Sequence, residues 1–179
     1  MEKRRINLTL GIFFVASIGA ASGEVLAQQK YRITQPPAST SQYLQQHAIS
    51  VEDFPQHQIR VYEIRFEYPK KDFSIAGVLV KETIVRGISD YVRFSGPFTT
   101  YVVYTLEDGN KVFGRGAGTS MMAKDANGND VVKFSSVENF TGGTGRFKGI
   151  RGQLHSIGQR EVVAKTVTQD LSGEYWIEE

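Results

Sequence analysis

The sequence predicts an all-β protein: an eight-stranded antiparallel up-and-down β-barrel, preceded by a signal peptide and a flexible lead-in. Segments rich in β-branched and aromatic residues recur from residue 59 onward, and Asp108-Gly109 and Asn127-Gly128 mark tight turns between them. No helical period longer than a turn or two interrupts these segments. Connections this short favour an up-and-down order of strands.

The first 27 residues have the three parts of a secretory signal peptide. There is a basic start at residues 3–5, an apolar run over residues 8–21 and a small-residue cleavage site at residues 25–27. The apolar run is too short to span a bilayer core of about 30 Å, which needs roughly 20 apolar residues. We therefore predict a periplasmic or secreted protein with no integral membrane segment after signal removal.

Composition excludes several classes of function. The chain has no cysteine, so disulfides, thiolate catalysis and cysteine-ligated metals are ruled out. The formal net charge is +2, and loss of three basic and two acidic residues with the signal peptide leaves about +1. This balance, without a basic cluster between stacking aromatics, predicts no nucleic-acid partner. The histidines lack metal-binding spacing, and we expect neither a metal site nor any cofactor.

Residues 28–58 are predicted to form the flexible lead-in to one barrel domain over residues 59–179. The lead-in is polar and turn-prone and shows no sustained period, with at most a short helical turn around residues 43–47. The predicted organisation is therefore a signal peptide over residues 1–27, the lead-in, and the barrel domain.

The first predicted strand, residues 59–68, has two different faces. Aromatic and aliphatic side chains occupy one face and mostly charged side chains the other: Tyr62, Ile64, Phe66 and Tyr68 alternate with Val61, Glu63, Arg65 and Glu67. If the charged face points to solvent, it is an ordinary surface with cross-strand pairs. If it points into the barrel, a buried carboxylate beside Arg65 would have a shifted pKa and could act as an acid or base. The candidate catalytic residues are Glu63, Arg65 and Glu82.

Further strands are predicted at residues 74–86, 91–94, 98–106, 111–122, 131–139, 147–157, 161–168 and 174–177. In the strand at 111–122, glycines at positions 114, 116 and 118 leave one face without side chains, which permits a bend or a close approach of another element. An eight-stranded barrel holds packed side chains or one small ligand. The candidate ligand-binding residues are Tyr62, Phe66, Tyr101, Tyr104, Phe113, Arg115 and Phe134.

The most specific motif is the glycine-rich segment, residues 140–152, which reads FTGGTGRFKGIRG. Its loop needs positive φ angles, and Phe147 is expected to pack inward as the next strand starts. The segment resembles the GGTGxFxGxxG signature of the allene oxide cyclase and dirigent proteins, which are calycin-type barrels. The resemblance implies an eight-stranded antiparallel barrel with an apolar interior, and for an enzyme it implies a cofactor-independent cyclase or isomerase. It transfers no catalytic residue, because the motif only joins two strands.

The sequence therefore supports two hypotheses. The first is an exported barrel that binds a small apolar molecule in its interior, with or without cyclase or isomerase turnover. The alternative is a non-catalytic structural or interaction barrel that forms a homo-oligomer through its outer face.

Overall fold

A computed structural model describes residues 31–33, 39–164 and 166–178 of the chain. Within these residues the regular structure is β-strand, apart from one short 3-10 turn at Gly145–Phe147, so the predicted all-β class is confirmed. The predicted signal peptide lies outside the described residues. No helix in the described part of the chain has the length and apolar character needed to cross a membrane.

The described residues contain ten strands, and nine of them belong to one antiparallel sheet. The two-residue strand β4 lies off this path and pairs with β5. The strands are β1 (Tyr31–Ile33), β2 (Ser39–Ser50), β3 (His57–Glu67), β4 (Ser74–Ile75), β5 (Val78–Val92), β6 (Gly96–Leu106), β7 (Lys111–Lys124), β8 (Asp130–Gly143), β9 (Ile150–Glu161) and β10 (Thr166–Ile177).

Eight of the described strands close into a ring. They follow the order β2-β3-β5-β6-β7-β8-β9-β10, and β10 pairs with both β9 and β2. The β9–β10 pairing runs from Val167 opposite Arg160 to Ile177 opposite Ile150, whereas the β10–β2 closure involves two residue pairs, Thr166 with Thr40 and Val167 with Ser39. Apart from that closure, neighbours in the ring follow one another along the chain, with β4 lying in the connection between β3 and β5.

Strand β2 corrects the prediction of a flexible lead-in over residues 39–50. The chain there is extended and pairs with β3 from Ser50 opposite Gln58 to Thr40 opposite Glu67, with no helical turn around residues 43–47. Most of its side chains are polar and exposed, so its own β propensity is weak. The strand forms because its backbone groups hydrogen-bond to β3, and local composition does not reveal that pairing.

Two other strand boundaries differ from the prediction. The predicted strands at residues 74–86 and 91–94 belong largely to one long strand, β5, which continues through residues 87–90. Residues 162–164 form a turn that interrupts the predicted strand at 161–168, and its later part continues into the predicted strand at 174–177 as β10. Residues 87–89 of β5 remain extended because they pair with both β3 and β6, and residues 169–173 of β10 remain extended because they pair with β9.

An apolar cluster closes one end of the ring. Its members lie where β3 and β6 end and where β5, β7 and β9 begin, which is the same end of the antiparallel ring. Successive aromatic rings pack edge-on or tilted with centroids 5.1–6.0 Å apart, in the order Tyr68, Phe73, Tyr104, Phe140 and Tyr175. The Tyr175 hydroxyl accepts a hydrogen bond of 2.6 Å from the Ala76 backbone N–H, which fastens the segment around β4 to β10.

The glycine-rich segment completes this closed end. Gly145 adopts a φ of +53° at the start of the 3-10 turn, a conformation that glycine tolerates without strain. The turn buries the Phe147 side chain completely, so the predicted inward packing of Phe147 is confirmed. The next strand, however, starts three residues later, at Ile150. The segment therefore connects β8 and β9 and also contributes the Phe147 side chain to the apolar cluster that closes this end of the ring.

Candidate functional site

The ring encloses a cavity of about 200 Å³ beside the apolar cluster. Its lining side chains come from all eight strands of the ring and are mostly aromatic or aliphatic. An engineered apolar cavity of about 150 Å³ holds benzene, so this space is large enough for a small organic molecule.

Four of the seven predicted ligand-binding residues line this cavity: Tyr62, Phe66, Tyr104 and Phe134. The prediction for Tyr101, Phe113 and Arg115 is corrected, because these residues occupy the outward positions of β6 and β7. Tyr101 is 58 % exposed, and the Arg115 guanidinium stacks over its ring at 5.4 Å on the outer surface. Tyr101 and Tyr104 are three residues apart, and side chains at odd spacing in a strand point to opposite faces.

The two faces of β3 are oriented as the alternation allows, with the aromatic face inward. Tyr62, Ile64, Phe66 and Tyr68 line the cavity, whereas Glu63, Arg65 and Glu82 do not. The three candidate catalytic residues lie on the outer face in two ion pairs. Glu63 Oε2 is 2.7 Å from Arg86 Nε, and Glu82 Oε2 is 3.3 Å from Arg65 Nε. This placement corrects the hypothesis that they form a buried catalytic cluster.

We expect Glu63→Gln and Glu82→Gln to have small effects. Each substitution removes one partner of an ion pair at the outer surface, and such pairs contribute about 0–1 kcal/mol. The free energy of unfolding, measured by urea denaturation, should fall by less than about 1 kcal/mol for each variant. Binding of small molecules to the cavity should be unchanged. A tenfold loss of binding in either variant would restore these carboxylates as site residues.

The carboxylate inside the ring is Glu138, which the sequence analysis did not identify. Glu138 lies on β8 among the cavity-lining side chains, and its Oε2 accepts a hydrogen bond of 2.9 Å from the Tyr104 hydroxyl. Its Oε1 is buried and has no hydrogen-bond partner among the described residues. Burial raises the pKa of the Glu138 carboxyl from 4.5 to about 7, and the hydrogen bond from Tyr104 opposes this shift only in part.

The glycines of β7 make room for this carboxyl group. Gly116 lies directly opposite Glu138 in the β7–β8 ladder. A Cβ added to Gly114 would come within 2.7 Å of the Glu138 carboxyl carbon, and one added to Gly116 would lie 2.9 Å from Thr100 Oγ1. The side chain of Glu138 therefore lies against a part of β7 that has no side chains on this face. The close approach that the glycines permit is present, with the Glu138 carboxyl group over Gly114 and Thr100 Oγ1 beside Gly116.

The hydroxyl groups around Glu138 remain protonated at neutral pH. Burial raises the pKa of Tyr104 well above 10.0, and the neighbouring Glu138 adds to this shift. Burial also raises the pKa of Tyr68, whose hydroxyl forms a hydrogen bond of 2.8 Å with Thr83 Oγ1. The inner end of the cavity thus contains one titrating carboxyl group that is held in place by a phenol donor.

One pattern in the sequence points to Glu138. Phe134, Ser136, Glu138 and Phe140 occupy alternate positions, so Glu138 shares a face with two aromatic residues. Between residues 131 and 140 it is the one charged residue on that face, and its neighbouring strand carries the glycine series. A lone carboxylate on an otherwise apolar strand face next to glycines is a better indicator of an internal site than the charged face of β3.

The described residues contain no group of three or more His, Asp or Glu side chains arranged to hold a metal ion. Comparisons with protein-family models, with curated proteins and with solved structures found no match for the chain. The resemblance of the glycine-rich segment to allene oxide cyclase and dirigent proteins therefore stays a prediction.

Proposed function

We propose that the ring is an eight-stranded calycin-type β-barrel that binds a small, mostly apolar molecule in its interior. The observation that carries this proposal is the cavity of about 200 Å³, which is lined by side chains of every strand in the ring. Binding sites for small molecules are typically apolar cavities with a few convergent polar groups. Glu138 and Tyr104 supply such groups at the end that the apolar cluster closes.

The same geometry supports proton transfer to or from the bound molecule. A carboxyl group with a pKa near 7 populates both its acidic and its basic form at neutral pH, which is the condition for efficient general acid–base catalysis. Tyr104 donates its hydrogen bond to Oε2, and Oε1, which lies over Gly114, has no hydrogen-bond partner among the described residues. The enzymatic version of the proposal is a cofactor-independent isomerase or cyclase in which Glu138 moves the proton.

Filling the cavity tests the binding proposal. Ser136 points into the cavity, whereas its neighbour Ser135 is exposed on the outer face of the same strand. We expect Ser136→Phe to weaken the binding of 4-phenylbutan-1-ol, measured by isothermal titration calorimetry, by at least about tenfold, because the added ring occupies the ligand's space. Ser135→Phe is the matched control and should bind like the wild type.

Two results would contradict the proposal. One is that the wild-type protein binds neither this alcohol nor its carboxylate counterpart, 4-phenylbutyrate. The other is that Ser136→Phe, shown to be folded by circular dichroism, binds as tightly as Ser135→Phe. Ligand contact elsewhere on the protein would then account for any binding.

The second candidate function is a non-catalytic barrel that assembles with a second copy of itself. Ile49, Ile59, Val61 and Ile88 lie on the outer face of adjacent strands β2, β3 and β5 and are 42–60 % exposed. Such neighbouring apolar side chains are typical of an interaction surface. Multi-angle light scattering should then show a discrete oligomer that Val61→Glu dissociates. A monomer at all concentrations would exclude this candidate.

A further inference from the structure

Two arginine side chains, Arg60 and Arg160, face the cavity. Arg60 comes from β3 and is only 8 % exposed, and Arg160 comes from β9 and is half-buried. With Glu138 they are the charged residues among the cavity-lining side chains. Glu138 is hydrogen-bonded to Tyr104, a member of the apolar cluster that closes one end of the ring. Arg60 precedes Tyr68, another member of this cluster, by eight residues and therefore lies toward the other end of β3. Cationic groups and the carboxyl group therefore occupy different depths of the cavity.

Arg60 lacks a counter-ion in the described part of the chain. Its guanidinium stacks over the ring of Phe94 at 5.2 Å, and its buried Nε has no hydrogen-bond partner among the described residues. A buried charge is costly unless an opposite charge and hydrogen bonds compensate it. The stacking on Phe94 compensates part of this cost, because the face of an aromatic ring attracts a cation. The donor capacity of the buried Nε remains unused.

Arg160 is held in place but keeps most of its donors. Its guanidinium stacks over Tyr43 at 5.3 Å, and its Nε donates a hydrogen bond of 3.2 Å to Ser41 Oγ. This bond uses one of the five N–H groups of the guanidinium. The Tyr43 ring also packs edge-on against Tyr62, with centroids 6.1 Å apart. The arginine is thereby oriented by neutral groups, and within the described ranges no carboxylate forms an ion pair with it.

We propose that the cavity selects an organic anion, in which an apolar body carries one acidic group that binds Arg60 and is attracted by Arg160. The inference rests on the proposed function and specifies its ligand class. A carboxylate, phosphate monoester or sulfate accepts charge-assisted hydrogen bonds from guanidinium N–H groups. The apolar body then extends among the aromatic side chains toward Glu138 and Tyr104. This orientation places the group that exchanges a proton with Glu138 away from the acidic end of the ligand.

Three probes with the same phenylbutyl body test the charge preference: 4-phenylbutyrate, 4-phenylbutan-1-ol and 4-phenylbutylamine. Isothermal titration calorimetry of the full chain should show that the carboxylate binds at least about tenfold more tightly than the alcohol, since hydrogen bonds between two charged groups are stronger than those to a neutral group. The amine should bind most weakly. Phenylbutyl phosphate distinguishes a carboxylate ligand from a phosphate-ester ligand. If it binds more tightly than 4-phenylbutyrate, the natural ligand is a phosphate ester.

The variant Arg60→Gln should abolish the preference, so that 4-phenylbutyrate and the alcohol bind to this variant with similar affinities. Arg115→Gln is the matched control, because Arg115 stacks on Tyr101 at the outer surface and should have no influence on the preference. If Arg60→Gln does not fold, Arg160→Gln provides the second variant and should lower the preference for the carboxylate by several-fold.

The outcomes separate this inference from the proposed function. If the wild-type protein binds the carboxylate and the alcohol with equal affinity, the anion inference is overturned. The proposed function is upheld by the same result, because both probes bind. A preference for the carboxylate that persists in both Arg60→Gln and Arg160→Gln also overturns the inference. Absence of binding by all probes overturns the inference and the proposed function together.

Discussion

The Glu138→Gln variant is expected to gain stability relative to the wild type as pH rises. The folded wild-type protein has a Glu138 pKa of about 7, above the ordinary value of 4.5, so the folded state binds this proton more tightly than the unfolded state does. The contribution of Glu138 to stability is therefore fully present below about pH 4.5 and is lost as pH rises through about pH 7. Glutamine does not titrate and lacks this dependence.

The expected size follows from the pKa shift. A displacement from 4.5 to about 7 corresponds to about 3 kcal/mol at 1.36 kcal/mol for each pKa unit. The difference in free energy of unfolding between Glu138→Gln and wild type should therefore increase by about 3 kcal/mol between about pH 4 and pH 8 in urea denaturation. A difference between Glu138→Gln and wild type that stays constant over this pH range would mean that the Glu138 carboxyl is hydrated.

The Phe147→Ala variant is expected to lose about 4 kcal/mol of stability at neutral pH. Phe147 is fully buried in the cluster that closes one end of the ring, and truncation of a buried Phe to Ala typically costs about 3–5 kcal/mol. The cavity left behind cannot collapse easily, because the side chain is held between the 3-10 turn and the strand ends. The measurement is the midpoint and slope of urea unfolding at about pH 7.

Phe54→Ala provides the matched control, because Phe54 is 63 % exposed in the connection between β2 and β3. Its truncation should change the free energy of unfolding by less than about 1 kcal/mol, since little apolar surface is released from packing. Similar losses in the two variants would show that Phe147 does not plug the ring. A large loss confined to Phe147→Ala would show that the glycine-rich segment stabilises the fold.

Local features of the sequence were sufficient to predict the class of fold and several of its turns. Alternation in residues 59–68 correctly separated the two faces of β3. The turns at Gly109 and Gly128 occur where predicted, each with a φ of +82°. Both features depend on residues that are close together in the chain, so the sequence carries them directly.

The candidate site was predicted only in part, because strand periodicity does not show which face is inside. The same alternation is compatible with Glu63 inward or Glu63 outward, and with either Tyr101 or Tyr104 in the interior. Closure of the ring decides between these arrangements, since it turns one face of every strand toward a shared interior. The strand β2 was missed for a related reason: its polar residues become a strand only when β3 and β10 pair with it.

The sequence by itself determined that this protein is all-β, that its strands are joined by tight turns and that it has no cysteine chemistry. Only the tertiary structure decided that Glu138, Arg60 and Arg160 face one cavity while Glu63, Arg65 and Glu82 form ion pairs outside it. The physical reason is the range of the interactions. Turns and alternation arise from neighbouring residues, whereas the inside of the ring exists only after β10 has paired with β9 and β2.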